Sequence, residues 1–317
     1  MMIDRYLAAI DIGTNSFHMI IVKILEDDSF RIIDREREVI RLVSDTWGET
    51  NRIEEAKVNK AVKALIKFKK IATFYNAEIR AVATSAVREA DNKDYFIKKI
   101  FDETKIVIHA IKGSDEAKLI YKGMSHALPI RNRTALCIDI GGGSTEFILA
   151  KKDKIIFAES VKVGAVRLSK KFFPKFELDV KAIIECRAHV KKLILGNKNL
   201  AGKVKFDAAI GSSGTIESAA EMIISSQKRR ELKSLNSFVY SREELDLIAG
   251  EILKRKTMAE RMKVKGLEQK RADIIPAGII ILQTIFEIFK IESLMISEYA
   301  LREGIIFEYI SNNFGFG

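Results

Sequence analysis

The chain has 317 residues, of which 47% are hydrophobic and 31% charged, with only three prolines and no serine- or proline-rich tract. That length suits two domains of ordinary size, and the composition excludes wholesale disorder and a long unstructured linker. The net charge of +11 favours encounters with polyanions, or equally serves a lysine-rich solvated surface, and by itself chooses neither.

Two cysteines, Cys137 and Cys186, are too few for a disulfide framework, and the apolar run around Cys137 predicts a buried, reduced thiol. The four histidines are scattered, which argues against a His/Cys metal centre. The first residues lack a basic-then-apolar leader pattern, so a cytoplasmic location is expected. The most apolar stretch, Ile274 to Phe289, carries Pro276, Gln283, Thr284 and Glu287. It is too short and too polar to span a bilayer and predicts a buried helix.

In chain order, Leu7 to Ile12 reads as a strand ending in Asp11-Ile12-Gly13, followed by Thr14-Asn15-Ser16 and a second strand, Phe17 to Ile24. Ile53 to Tyr75 has apolar residues at Val58, Val62, Leu65, Ile66 and Phe68 with lysines opposite, a helical pattern. Ile79 to Ser85 predicts a strand running through a small-residue turn into a helix. Glu116 to Ser125 predicts another helix, capped by Ser114. Then the opening pattern recurs: Ala135 to Ile140 ends in Asp139-Ile140-Gly141, followed by Gly142-Gly143-Ser144-Thr145 and the apolar Phe147-Ile148-Leu149. Lys181 to Leu195 is helical, and Phe206 to Thr215 repeats the strand, turn and helix. Asp11 stands 72 residues before Ala83, and Asp139 stands 72 before Gly211. A third, looser match pairs Ile40-Arg41-Leu42 with Val166-Arg167-Leu168. Three matches in one order indicate two copies of one fold unit, and strands alternating with helices indicate α/β domains.

The two Asp-Ile-Gly turns carry the chemistry. Glycine lets successive backbone N–H groups form a concave anion site, and serine and threonine add donors. A neighbouring carboxylate holds Mg²⁺, which bridges to phosphate oxygens. Gly13, Thr14, Asn15, Ser16 and Gly141, Gly142, Gly143, Ser144, Thr145 are therefore candidate phosphate contacts, with Asp11, Asp139 and Glu146 as candidate metal carboxylates. A glycine-rich hairpin with a capping aspartate competes for one such loop; two loops in duplicated domains favour phosphate and metal. Gly211, Ser212, Ser213, Gly214 and Thr215 open a helix after a strand, a natural phosphate site, with an ordinary N-cap as the competing account. Arg88 can clamp a phosphate bidentately or sit on a helix surface. In Ile111 to Ala117, Glu116 is either an acid favouring the helix dipole or a general base, and spacing does not decide.

These residues closely resemble the exopolyphosphatase/guanosine pentaphosphate phosphohydrolase family, within the actin-like, sugar-kinase and Hsp70 ATPase superfamily. The resemblance runs from Asp11–His18 through Ala83–Ala90, Gly113–Ala117, Asp139–Glu146, Gly164–Leu168 and Gly211–Thr215 to Arg271–Gly278 and Ser297–Gly304. It implies two duplicated ribonuclease H-like domains with an active-site cleft between them. Domain I is then 1–125, with a C-terminal helix over 300–317 packing back on it, and domain II is 126–299. It implies Glu116 as catalytic base, Asp139 and Glu146 serving Mg²⁺ and water, loop amides on the terminal phosphates, and Arg88 on the polyanion. Asp115 departs from the family's frequent glutamate and leaves the base intact. The chain stops soon after Gly304, as in the short, two-domain members.

The implied activity is release of orthophosphate from inorganic polyphosphate. Removal of the 5′-phosphate of guanosine pentaphosphate is the alternative at the same site. A sugar kinase or ATPase of this fold, and a non-catalytic polyanion-binding regulator, are further readings that the Asp115-Glu116-Ala117 start and the carboxylates disfavour. Mg²⁺ is the implied cofactor, with a monovalent cation as an additional candidate. Polyphosphate or guanosine pentaphosphate is the implied partner and a homodimer a candidate assembly; no membrane partner is expected, and nucleic acid is disfavoured.

Overall fold

The structure is a computed structural model that describes residues 5–43, 50–130, 132–152, 154–202, 204–227 and 232–313. By its contacts the chain divides into two compact units, Met1–Gly123 with Leu301–Gly317, and Met124–Ala300. Both are mixed α/β, as expected of a duplicated actin-like fold. Of the helix expected over 300–317, residues 314–317 lie outside the described residues.

The first unit is built on a five-stranded sheet in the order β3-β2-β1-β4-β5. Strands β1 (Arg5–Ile12), β2 (Ser16–Ile24) and β3 (Phe30–Val39) form an antiparallel meander. The strands β4 (Glu78–Ala83) and β5 (Ile108–Ala110) extend it in parallel from β1. Leu7 to Ile10 and Met19 to Val22 are buried on both faces, which explains their unbroken apolar runs. By contrast β3 alternates charge, Asp34-Arg35-Glu36-Arg37-Glu38, the composition of an edge strand that resists further pairing.

Helix α1 (Glu55–Phe74) buries Val58, Val62, Leu65 and Phe68. It packs on α3 (Lys93–Thr104), after the four-residue α2 (Ser85–Arg88). Helix α4 (Gly113–Ala127) begins earlier than the pattern predicts, at Gly113. Ser114 therefore lies inside the first turn and is not its cap: Asp115 and Glu116 N–H groups both bond the Lys112 carbonyl. Helix α11 (Leu301–Asn313) returns to this unit and packs on β1. Phe307 meets Phe30 at 5.1 Å, and Tyr309 donates to Glu78 at 2.6 Å beneath the Arg80 guanidinium.

The second unit repeats the plan with a six-stranded sheet, β10-β11-β9-β6-β7-β8. Here β6 (Thr134–Ile140), β7 (Thr145–Lys151) and β8 (Lys154–Val161) are the meander, and β9 (Ala208–Ser212) and β11 (Ser293–Ile296) the parallel extension. Strand β10 (Val239–Ser241) adds an antiparallel edge that the first unit lacks. The core lies between this sheet and α5 (Ala165–Phe172), α6 (Val180–Leu195), α7 (Gly214–Ser226), α8 (Arg242–Leu253) and α10 (Ile275–Phe289); the short α9 (Met258–Arg261) precedes α10. Helix α10 is the predicted buried helix, started by Pro276, whose missing N–H costs nothing in a first turn. Cys137 is free and buried, as predicted, and so is Cys186. Among the described residues no helix is long and apolar enough to cross a membrane.

Candidate active site

The two glycine loops have the same internal geometry. In the first, Gly13 N–H donates to the Ser16 carbonyl at 3.2 Å; in the second, Gly141 N–H donates to Ser144 at 2.9 Å. Each closes a hairpin whose register sets two residues directly across from one another. In the second unit these are Asp139 and Glu146; in the first they are Asp11 and His18. The duplicated backbone thus carries two carboxylates in one copy and one carboxylate with an imidazole in the other.

Glu146 is 1% exposed. Its Oε1 accepts from Ser144 of its own loop at 2.6 Å and from Ser160 of the neighbouring β8 at 2.7 Å. Asp139 pairs in register with Ser212 of β9, whose hydroxyl donates to Oδ2. Two carboxylates on adjacent strands repel, and a cation relieves that repulsion. Among the described residues no group of three or more His, Cys, Asp or Glu is placed to hold a metal ion. A two-carboxylate site fits Mg²⁺, which keeps several waters and takes its remaining ligands from substrate phosphate.

The side-chain hydroxyls of the second loop are spent inside the protein. Ser144 serves Glu146, Thr145 donates to the Val163 carbonyl at 2.5 Å, and Ser212 holds Asp139. What the loop has to offer an anion is backbone N–H. In the first loop the Thr14 and Ser85 hydroxyls share a 2.9 Å hydrogen bond, tying the loop to α2.

At the turn into α7, the structure separates the predicted residues. Gly211 lies within β9, and a Cβ there would collide with Leu294 and Ile216, so core packing accounts for that glycine. Ser213 precedes α7 with φ +95°, a strained value for a residue with a side chain, and its buried hydroxyl has no hydrogen-bond partner among the described residues. Arg271 reaches the same helix start, donating to Thr215 Oγ1 at 3.4 Å. The turn after β4 differs: α2 has only four residues, so the Thr84-Ser85 turn is not the start of a long helix dipole.

Glu116 is 6% exposed on the first turn of α4. Arg88 donates to its Oε2 at 2.7 Å and to the Ile111 carbonyl at 3.0 Å. Arg88 is therefore not a surface arginine; its guanidinium is directed at the acid that the resemblance makes the base. Sequence reasoning missed Ser160, Arg271 and Gly164 as parts of these half-sites. Ser160 is marked only by its register opposite Glu146 on β8, which no local motif reveals. A cavity of about 440 Å³ beside Ser125, His126, Leu128, Pro129 and Asn132 is lined by none of the predicted residues.

Duplicated α/β units with glycine loops and a cross-strand carboxylate pair are the arrangement of a phosphate-handling enzyme. Residues 20–313 match the Ppx/GppA phosphatase family, and the chain belongs to it; it is a hydrolase of phosphoanhydride bonds. It is 30% identical to a Haemophilus influenzae protein provisionally named an exopolyphosphatase, over 97% of this chain and 92% of that one. It is 29% identical to a Vibrio vulnificus guanosine-5′-triphosphate,3′-diphosphate pyrophosphatase, over 96% of this chain but 59% of that longer one. An exopolyphosphatase from Cytophaga hutchinsonii superposes with a TM-score of 0.88 at 26% identity, covering 97% of this chain and 98% of that one.

Proposed function

We propose that this chain is an exopolyphosphatase that releases orthophosphate from the end of inorganic polyphosphate with Mg²⁺. The observation that carries the reading is the cross-strand pair of half-buried Asp139 and buried Glu146, beside a glycine loop and the Ser212–Ser213 turn into α7. Asp139 and Glu146 would hold Mg²⁺, which when bound neutralises charge on the phosphates. Amides of Gly142, Gly143 and Ser144, with those following Ser213, bind terminal phosphate oxygens. The first loop, Gly13 to Ser16, offers amides of the same kind to a polyanion.

Glu116 takes a proton from the attacking water, and its pairing with Arg88 holds the carboxylate in place. Arg88 then turns part of its donor set to the phosphates. Catalysis on this reading is positioning and electrostatics, as phosphoryl transfer generally requires. Removal of the 5′-phosphate of guanosine pentaphosphate is the alternative, favoured by the name of the Vibrio vulnificus relative.

The test is phosphate release from long polyphosphate, short polyphosphate, guanosine pentaphosphate and ATP, each with Mg²⁺, beside Glu116→Gln. Fastest release from polyphosphate, lost in the variant while polyphosphate still binds, is the expected result. Preference for guanosine pentaphosphate selects the alternative. Steeply salt-dependent binding with no turnover on any substrate would mean a polyanion-binding protein instead.

A further inference from the structure

In the second loop, the carbonyls of Gly141, Gly142 and Gly143 are all captured by the start of α5. The Gly141 carbonyl accepts from Ala165 N–H at 3.0 Å, and Gly142 from Val166 at 2.9 Å and Arg167 at 3.0 Å. The Gly143 carbonyl accepts from the Arg167 side chain, Nε to O, at 2.7 Å. These donors are the first N–H groups of α5, which would otherwise lack partners. Across a trans peptide the carbonyl and the next N–H point in opposite directions. Holding three successive carbonyls toward α5 therefore turns the N–H groups of Gly142, Gly143 and Ser144 to the opposite face.

The approach is close. A Cβ on Gly164 would overlap the backbone of Gly142 and Gly143, so glycine alone lets α5 begin there. The first unit repeats the capture with different structure: Asn15 carbonyl accepts from Ile40 and Arg41, and Thr14 from Leu42, all backbone N–H groups of a non-helical segment after β3 that turns at Arg41, φ +59°. The Ile40-Arg41-Leu42 and Val166-Arg167-Leu168 match thus marks two segments that do one job. In the second unit a side-chain bond, from Arg167 Nε to the Gly143 carbonyl, completes it.

We propose that Arg167 is a positioning residue for phosphate binding, acting through the Gly143 carbonyl rather than on the substrate. The proposal rests on the reading of this loop as the terminal-phosphate site. Without the guanidinium, the Gly143–Ser144 peptide is free to rotate, and the amide row loses its common direction. A charged donor on a carbonyl corresponds to a loss of affinity on the order of ten- to a hundredfold.

The experiment compares wild type, Arg167→Ala and Arg167→Lys. With polyphosphate and Mg²⁺, Arg167→Ala should raise KM about tenfold or more while kcat changes far less, methylguanidinium should lower KM again, and Arg167→Lys should lie between. Thermal melting should change little. In parallel, ¹⁵N-glycine protein is titrated with tripolyphosphate. The Gly142 and Gly143 amides should shift in wild type and need about tenfold more ligand in Arg167→Ala. Wild-type KM in Arg167→Ala, or a loss that methylguanidinium does not reverse, overturns the proposal. Wild-type protein that hydrolyses nothing yet shows the amide shifts and their loss in Arg167→Ala retains the positioning role and fails the enzymatic reading. Absence of the shifts in wild type fails both.

Discussion

Arg88 Nη1 lies 2.7 Å from Glu116 Oε2, bridging the short α2 and the first turn of α4 across 28 positions of sequence. The residues proposed to activate water and to meet the polyanion are thus each other's partner. Removing either side takes a charged partner from a group that is at least partly buried, at a cost beyond one hydrogen bond.

The two should therefore be coupled. Arg88→Ala is expected to lower kcat and raise KM together, since it both frees Glu116 and removes a phosphate contact. Glu116→Gln alone should lower kcat by on the order of a hundredfold or more. In the double variant the losses should fall short of their product, because Arg88 has nothing left to position. Steady-state kinetics of the four proteins measure this; multiplicative losses would show that the pair does not act as a unit.

The metal assignment makes a different demand. Asp139→Asn and Glu146→Gln should each raise the Mg²⁺ concentration for half-maximal phosphate release at least about tenfold, the scale of losing a charged ligand. Ser160→Ala, which removes one of two hydroxyl donors to Glu146 Oε1, should shift it in the same direction by less. Mg²⁺ titrations at saturating polyphosphate read this out. An unchanged Mg²⁺ dependence in Asp139→Asn would place the metal elsewhere.

Gly304 on α11 sits against the backbone of Leu119 on α4, inside the distance any Cβ would need. Gly304→Ala must push α11 off α4 and should cost about 1–3 kcal/mol of stability, as overpacking does. Because α4 carries Glu116, kcat should fall as well. Gly250 on α8 is the control: nothing lies within 4 Å of its Cβ position, so Gly250→Ala should be neutral or mildly stabilising. Equal melting temperatures for the two variants would show that the α11–α4 contact is not tight.

Much of this arrangement is legible in the sequence because it is repeated. One Asp-Ile-Gly turn is ambiguous, but two copies with a common spacing fix the hairpins, the parallel strands after them and the equivalence of Asp11 with Asp139. What the repeat hides is where the copies have diverged. Val166-Arg167-Leu168 is helical, whereas Ile40-Arg41-Leu42 lies in neither helix nor strand and turns at Arg41, φ +59°, so a match in letters says nothing of conformation. Ser212, predicted to meet phosphate, instead holds Asp139, because parallel register sets them side by side. Register between distant strands is a tertiary property, and no local pattern carries it.

Arg261 is the residue that sequence reasoning would place last in a core. It is 0% exposed and donates to the carbonyls of Ala272, Arg255, Lys256 and Phe176. Burial holds its pKa below the usual arginine value. Arg261→Met keeps volume but strands four acceptors, each worth about 1–3 kcal/mol when left unsatisfied. Urea unfolding should show a loss of at least about 3 kcal/mol, and a smaller loss would mean that water takes the guanidinium's place.

Burial pushes the thiols of Cys137 and Cys186 up to about 12. An unfolded chain's cysteine ionises near pH 8.5. Each group's folded pKa therefore lies above its unfolded value. The stabilisation it brings is fully present below about pH 8.5 and is lost as pH rises from there toward 12, because only the unfolded chain gains the thiolate. Cys137→Ala removes that loss along with some packing. The melting-temperature advantage of wild type over Cys137→Ala should be largest at pH 7 and narrow steadily from pH 8.5 to 10, whatever the lysines do in both proteins. The same burial should keep both thiols from reacting with a disulfide reagent at pH 8 until denaturant is added. A wild-type advantage that stays constant with pH, or labelling of Cys137 in the native protein at the denatured rate, would mean that water reaches β6 just before Asp139.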